Sequence, residues 1–386
     1  MARLIIGCGY VGERVARKWL QEGECVLATT RSESRANELS RLGILPIVWD
    51  WQTSPLPPSN SSAEVQEKLA QLKTVLISVS HAAAKPAPGA PQPAAPQPGA
   101  PQPSAQQPSA QQAANAHPAG LQNVSDWLAS VYASPTLSGP TLSGPASGTQ
   151  PPPAETDQGP RILPRWIYLS TTGVLSNSPE NGVSNPSTGA GTVADAAPDT
   201  SADCLDENTP AQPQRPGATN AANGENWLLN NARWTDRVVL RPTGIYGDDR
   251  VPNWRAIRDS VPLEASPESY LNLIHVDDLV SVIHHFSDHQ PRHELYCVGD
   301  DHPVLRRDYY QHISELGQFP APVYQPIHPT IESKAAEGEG RPRRTRGNST
   351  KRISSRRLHE ELPFKFRYPS YIEGLAMLLP HCIGEA

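Results

Sequence analysis

The chain is poor in the residues that mark secreted, zinc-bound and membrane-spanning proteins. Its five cysteines, Cys8, Cys25, Cys204, Cys297 and Cys382, are odd in number, far apart and never spaced as CxxC, which argues against a disulfide framework and against structural zinc. No apolar run approaches the ~20 residues that a membrane-spanning helix needs. Met1 leads straight into ARLIIGCGYVG, with no secretory n-region or cleavage site, so a cytoplasmic protein without a membrane partner is expected. An excess of positive charge is missing too. A net charge of −6 and a pI near 6.1 give no global attraction to nucleic acid or anionic membrane. Two further absences are local: no tyrosine lies between Tyr168 and Tyr246, and no lysine between Lys85 and Lys334.

Apolar residues make up only 37% of the 386, because 42 prolines and long polar tracts dilute them. Folded residues must therefore be fewer than the chain has. Between Ala82 and Pro118 the sequence repeats PQPAA, PQPGA, PQPSA and QQPSA, a tract that cannot bury enough apolar area to offset its ordering entropy. The stretches 134–160, which includes PTLSGPTLSGP, and 176–202, rich in Asn, Ser, Gly and Thr, have the same character. All three are expected to be disordered inserts in loops, since the signals on either side continue in order.

With the inserts set aside, short apolar runs alternate with amphipathic ones. RLIIG (3–7) precedes a helix at 11–22 with Val11, Val15, Ala16, Trp19 and Leu20 on one face. CVLATT (25–30), ILPIVW (44–49), TVLISV (74–79), RWIYLS (165–170), RVVLR (237–241) and ELYCVG (294–299) read as strands, with helices near 32–42, 63–72 and 121–132. Near-continuous apolar strands between helices predict a parallel sheet covered on both faces, a doubly wound α/β fold.

Directly after the first strand, GCGYVG sets Gly7, Gly9 and Gly12 at the dinucleotide-binding spacing and opens the first helix. Gly7 would make the tight turn, Gly9 would let a pyrophosphate approach the backbone at Tyr10 and Val11, and Gly12 would allow close helix packing. The second strand ends in ATTRS, with Arg31 where an NAD site would carry an acid for the ribose 2′-hydroxyl. NADP is therefore expected ahead of NAD, with Arg31 pairing the 2′-phosphate. Asp50, just past the third strand, is placed to contact adenine or to serve as an ordinary loop aspartate.

Later segments occur in a telling order: WIYLSTTGVLSN (166–177), LDENTPAQP (205–213), VVLRPTGIYGDDR (238–250), YLNLIHVDDLVSVI (270–283), ELYCVGDDHPV (294–304) and KRISSRRLHEELPFKFRYPSYIEGL (351–375). Together they resemble the extended short-chain dehydrogenase/reductase superfamily, in particular the NAD-dependent epimerase/dehydratase family. The resemblance implies a Rossmann domain (1–249, interrupted by the inserts) and a smaller substrate domain (250–386), with 270–299 returning to the Rossmann sheet. It implies nicotinamide hydride chemistry on a small molecule of nucleotide-sugar type, and it is compatible with a homodimer. It also places a catalytic hydroxyl at Thr171, although the aromatic residue usual after the following valine is Leu175 here. The Tyr and Lys that such enzymes use as acid/base and ribose ligand fall on Gly217 and Ala221, so both positions are vacated. That vacancy keeps a second reading open, a non-catalytic dinucleotide-binding sensor or assembly factor.

His284, His285, His289 and His293 read as a solvated helix end and not as a metal set, and His275 with Asp277-Asp278 reads as a strand-to-helix junction. The run 341–357 carries eight basic residues and no acid, which suits a substrate diphosphate, a contact with nucleic acid or a solvated basic loop.

Overall fold

The structure is a computed structural model in which residues 1–57, 63–79, 110–133, 163–176, 204–326 and 349–384 are described. Seven strands build the central sheet: β1 (Ala2–Ile6), β2 (Cys25–Thr30), β3 (Leu45–Val48), β4 (Leu72–Ile77), β5 (Arg165–Leu169), β6 (Arg237–Pro242) and β7 (Leu295–Val298). All are parallel, in the order β7-β6-β5-β4-β1-β2-β3. The order reverses between β1 and β4, the switch point at which a Rossmann sheet opens a crevice beyond its carboxyl ends. This is the doubly wound α/β arrangement expected from the strand and helix signals.

Helices cover both faces: α1 (Tyr10–Gln21), α2 (Glu33–Arg41), α3 (Ala63–Leu69), α4 (Ala110–Ala133) and α5 (Pro216–Leu229) come first, and α6 (Trp254–Arg258), α7 (Val276–Asp288), α8 (Arg306–Gly317), α9 (Arg356–Glu361) and α10 (Tyr371–Gly384) follow. Side chains alternate along each strand, so one face packs Ile5, Ile167, Val238 and Leu240 against Val15 and Trp19 of α1 and Ile283 and Phe286 of α7. The other face packs Leu4, Ile6, Val75, Trp166 and Tyr168 with Trp127 of α4 and Trp234. A third core gathers Trp254, Ile257, Tyr309, Tyr310, Ile313, Leu375 and Leu379 from α6, α8 and α10. Short strand pairs join the outlying segments, Gly244–Tyr246 with Leu273–His275 and Cys204–Leu205 with Arg352–Ile353, each parallel.

α4 departs from the expected boundary. It begins at Ala110, inside the tract assigned to the first insert, and carries Pro118 within it. The reason is tertiary: His117 is buried, with its Nε2 2.9 Å from the Tyr168 hydroxyl. Residues 80–109, 134–162 and 177–203, which hold the remainder of the expected inserts, lie outside the described residues. Among the described residues no helix is long and apolar enough to cross a membrane.

Candidate functional site

The glycine loop joins β1 to α1 at the switch point. Gly7 has φ +83°, and a Cβ there would stand 2.6 Å from Val79 Cγ1 and 2.9 Å from the Ser78 carbonyl oxygen, so the turn accepts glycine alone. Thr29 Oγ1 of β2 receives the Gly7 amide at 3.0 Å. At Gly12 a Cβ would meet the Gly7 oxygen at 3.1 Å and Ile5 Cγ2 at 3.2 Å, which is how closely α1 rides on β1. Gly9 is different, because a Cβ there would have no atom within 4 Å.

α1 starts beside that open space, and its N-cap, Gly9, supplies no side-chain acceptor. The first intrahelical bond runs from the Glu13 amide to the Gly9 oxygen at 2.8 Å, which leaves the amides of Tyr10, Val11 and Gly12 at the head of the helix for an anion. Val11 itself packs in the core. Tyr10 turns outward instead: its hydroxyl donates to the Asp248 carbonyl oxygen at 2.9 Å.

Arg31 is exposed at the end of β2 and makes no hydrogen bond or ion pair with any described residue. Arg35, one helical turn on, is the cation the sequence reading missed. Its Nη2 donates to Glu13 Oε2 at 2.6 Å and to the Cys8 carbonyl oxygen at 3.3 Å, while Nη1 donates to Glu38 Oε2 at 2.8 Å. The legible signal was its place four residues after Arg31 on the same helix start. Asp50 serves its own turn, since Oδ1 accepts from the Gln52 amide at 3.3 Å and its carbonyl oxygen accepts from Ser54 at 2.9 Å.

Beyond β5 the chain makes one short turn, Thr172–Val174, with Thr171 as its N-cap. Thr171 Oγ1 accepts from the Gly173 amide at 3.0 Å, which leaves its hydroxyl proton to be donated elsewhere. Lys351 grips the same turn from the C-terminal segment, donating from Nζ to the carbonyl oxygens of Thr172 at 2.8 Å and Leu175 at 3.0 Å. Burial brings its ammonium down to about 8, and the neighbouring Arg215 acts in the same direction. Lys351 was visible in the basic run 341–357, but the turn it reaches was not. The other described members of that run serve the fold: Arg356 pairs Glu360 at 2.7 Å, Arg357 donates to Asn208 and to the Leu295 carbonyl, and Arg352 lies over the Tyr270 ring. Residues 341–348 lie outside the described residues.

Gly217 and Ala221, the positions to which the resemblance assigns the Tyr and Lys, sit on α5. Gly217 is half-buried in the first turn, and Ala221 is wholly buried in an apolar cluster with Val174, Leu175, Leu205 and Ile353. The space at Ala221 is therefore not an empty cleft, because the segments that follow β5 have closed over it. One turn further along, Glu225 forms a buried bidentate pair with Arg241 of β6 (Oε2–Nη2 2.7 Å, Oε1–Nε 3.0 Å), and Ser170 Oγ donates to the same carboxylate. The Tyr168 hydroxyl faces the Ala221 carbonyl and His117 inside the core, where burial raises it far above its ordinary value. In CLDEN, Asp206 caps its own turn through the Asn208 and Thr209 amides. Glu207 accepts from the Cys297 amide at 2.7 Å, and burial raises its carboxyl.

The histidines at the end of α7 each have a separate contact. His284 meets Glu22 at 2.5 Å, His285 and His289 stack at 4.4 Å, and His293 lies edge-on to Tyr296. His275 Nδ1 accepts from the Asp277 amide at 3.2 Å as the α7 N-cap, and both Asp278 oxygens accept from the backbone at 367–368.

No protein-family model matches the chain, and a search of curated proteins returns no match. Solved structures do match in fold. UDP-glucose 4-epimerase with UDP-glucose, from Thermotoga maritima, superposes at a TM-score of 0.60 with 14% identity over 100% of this chain and 99% of that one. dTDP-glucose 4,6-dehydratase from Bacillus anthracis, in complex with NAD, gives 0.59 with 14% identity over 100% and 97%. A functionally unknown conserved protein from Silicibacter pomeroyi gives 0.55 with 18% identity over 99% of each chain. At these identities the likeness is one of fold.

Proposed function

We propose that this chain is a cytoplasmic NADP(H)-binding protein of the extended short-chain dehydrogenase/reductase type, whose small-molecule substrate resembles a nucleotide sugar. The observation that carries the reading is the glycine loop. Gly7 and Gly12 are fixed by contacts that a side chain would break, whereas Gly9 faces open space at the uncapped head of α1, where a diphosphate is stabilised by backbone amides and the helix dipole. Arg31 would pair the 2′-phosphate. The fold-level neighbours, which include a dehydratase bound to NAD and an epimerase bound to UDP-glucose, support the class of cofactor and substrate. When bound, the nicotinamide would supply the hydride chemistry, and Thr171 could donate a hydrogen bond to a substrate carbonyl oxygen.

The test is a fluorescence titration with NADPH and NADH. NADPH should bind at least ten-fold more tightly, since a charge-assisted pair is worth about 1.5–3 kcal/mol, and Arg31→Ala should erase the difference. Equal affinities in the unmutated protein would remove the NADP reading.

A second reading, a dinucleotide-binding sensor or assembly factor without turnover, draws on Ala221. A lysine cannot be regained there without displacing the apolar cluster, and a positioned acid/base is typically worth 10²–10⁴ in rate. Little or no nicotinamide absorbance change with UDP-glucose or dTDP-glucose is expected. Robust turnover that survives Thr171→Val would exclude this second reading and assign the proton transfers to another group.

A further inference from the structure

The loop that follows Gly244–Tyr246 returns to the glycine loop and meets it at one side chain. Two guanidinium groups lie over the Tyr10 ring, Arg14 at 4.0 Å and Arg250 at 5.2 Å from its centre. Its hydroxyl holds the Asp248 carbonyl, and Gly247 (φ +157°) is bare beneath it, since a Cβ there would be 2.7 Å from that hydroxyl and 2.5 Å from Val276 Cγ1. The two cations are not equivalent. Arg14 is committed, donating to the Tyr10 carbonyl oxygen at 3.1 Å and standing 3.7 Å from Asp248 Oδ2. Arg250 is exposed, its amide donates to the Gly247 carbonyl oxygen at 2.9 Å, and apart from the ring its side chain has no hydrogen-bonding or ionic partner among the described residues, although Asp248 and Asp249 precede it directly.

We propose that Arg250 is a ligand of the dinucleotide's diphosphate, held on the Tyr10 ring beside the glycine loop until the ligand arrives. The inference rests on the cofactor reading above and extends it to a residue some 240 positions downstream in the chain. Three observations support it. Tyr10 contributes its backbone amide to the head of α1, so a cation on its ring is within one side chain's reach of a phosphate on that amide. An arginine's planar fork suits a phosphate, and its release from a Tyr face at an exposed site costs little. Finally, the 247–250 loop leads directly into Val251 and Trp254 of the third core, so drawing Arg250 onto the diphosphate would tie the smaller lobe to cofactor occupancy.

The experiment titrates the full chain and Arg250→Ala with NADPH, with ADP-ribose, which keeps the diphosphate, and with adenosine 2′-monophosphate, which lacks it. The expected result is a loss of about ten-fold for the first two ligands and none for the third, with Arg250→Lys in between. A thermal midpoint close to that of the unmutated chain is expected, because among the described residues the exposed side chain loses only its contact with the Tyr10 ring, and Arg250→Gln serves as the second variant if the alanine form misfolds. NADPH and ADP-ribose affinities within two-fold of the parent would overturn the proposal while leaving the cofactor reading intact, as would an equal loss with adenosine 2′-monophosphate. Failure of the unmutated protein to bind any dinucleotide would remove both readings together.

Discussion

At the scale of single residues, the charged pair beneath Ser170 makes the firmest claim. Glu225 and Arg241 are 3% and 4% exposed, so removal of one partner strands a charge where water cannot reach it. Glu225→Ala should cost about 3–5 kcal/mol in urea denaturation, whereas Glu225→Leu with Arg241→Met should recover most of that loss. Equal losses in the single and double variants would show that shape and not charge governs this spot. Ala221→Lys is expected to lower the thermal midpoint by several degrees or more, because the cluster around it is apolar and Glu225, one turn on, is already paired with Arg241.

The glycine turn of the candidate site was legible at this scale. Gly7, Gly9 and Gly12 could be read because their spacing encodes backbone geometry, and that geometry is what they adopt. The burial of Ala221 was not legible, since the residues that cover it arrive from 174–175, 205 and 353, and no local pattern records a contact across so much chain. Arg35 escaped for a related reason: it looks like a solvent-facing helix residue until Glu13 and the Cys8 carbonyl are brought to it.

At the scale of elements, α4 shows how tertiary structure moves a boundary. Its first residues belong by composition to the Pro/Ala/Gln tract, yet His117 and the aromatic side chains of Trp51 and Tyr168 meet in the core. Replacing residues 84–109 with a short Gly/Ser linker should leave the thermal midpoint nearly unchanged, as expected from a tract with few apolar side chains larger than Ala or Pro. Extending the deletion through Pro118 should lower it clearly, and a calorimetric scan of both variants separates the two outcomes. The seven strands of the central sheet, by contrast, were placed within about two residues of their observed ends, because a strand buried on both faces announces itself as an unbroken apolar run.

The short strand Arg352–Ile353 carries a pH signature. Asn272 holds it at both ends, donating to the Lys351 carbonyl oxygen at 3.0 Å and accepting from the Ile353 amide at 2.7 Å. Because burial lowers the Lys351 ammonium to about 8, the folded chain binds this proton less well than the unfolded chain does. The penalty is therefore present below pH 8 and is relieved as the pH rises toward the ordinary lysine value near 10.4. Relative to Lys351→Met, the parent should gain stability between about pH 8 and 10, and a flat difference across that range would show that this ammonium does not titrate there.

For the whole molecule, the amino ends of the strands are locked by charge. Arg3 is almost fully buried in β1, and its Nη2 donates to Glu24 at 3.0 Å and to Asp288 of α7 at 2.9 Å, while Lys73 of β4 also donates to Asp288. Burial alone would raise the Asp288 carboxyl, but Lys73 and Arg3 outweigh it and leave the group below its usual range. Such a group stabilises the fold above the unfolded aspartate value and loses that contribution as the pH falls through its depressed folded value. Asp288→Asn should therefore weaken the chain at pH 7 and flatten the acid limb of its stability curve, as measured by denaturant melts from pH 7 to 3.

The order of the central sheet also bears on how the chain is made. β1, β2, β3 and β4 are complete once residue 77 has left the ribosome, and each pairs within that stretch. β5 must wait for residue 169, and β7, which among the described residues pairs with β6 alone, for residue 298. Domains tend to fold as they emerge at ~5–20 residues per second, so the nascent chain would spend several seconds with β4 exposed as a sheet edge before β5 covers it. During synthesis that open edge is the point at which a second nascent chain, or a chaperone, would find the molecule receptive.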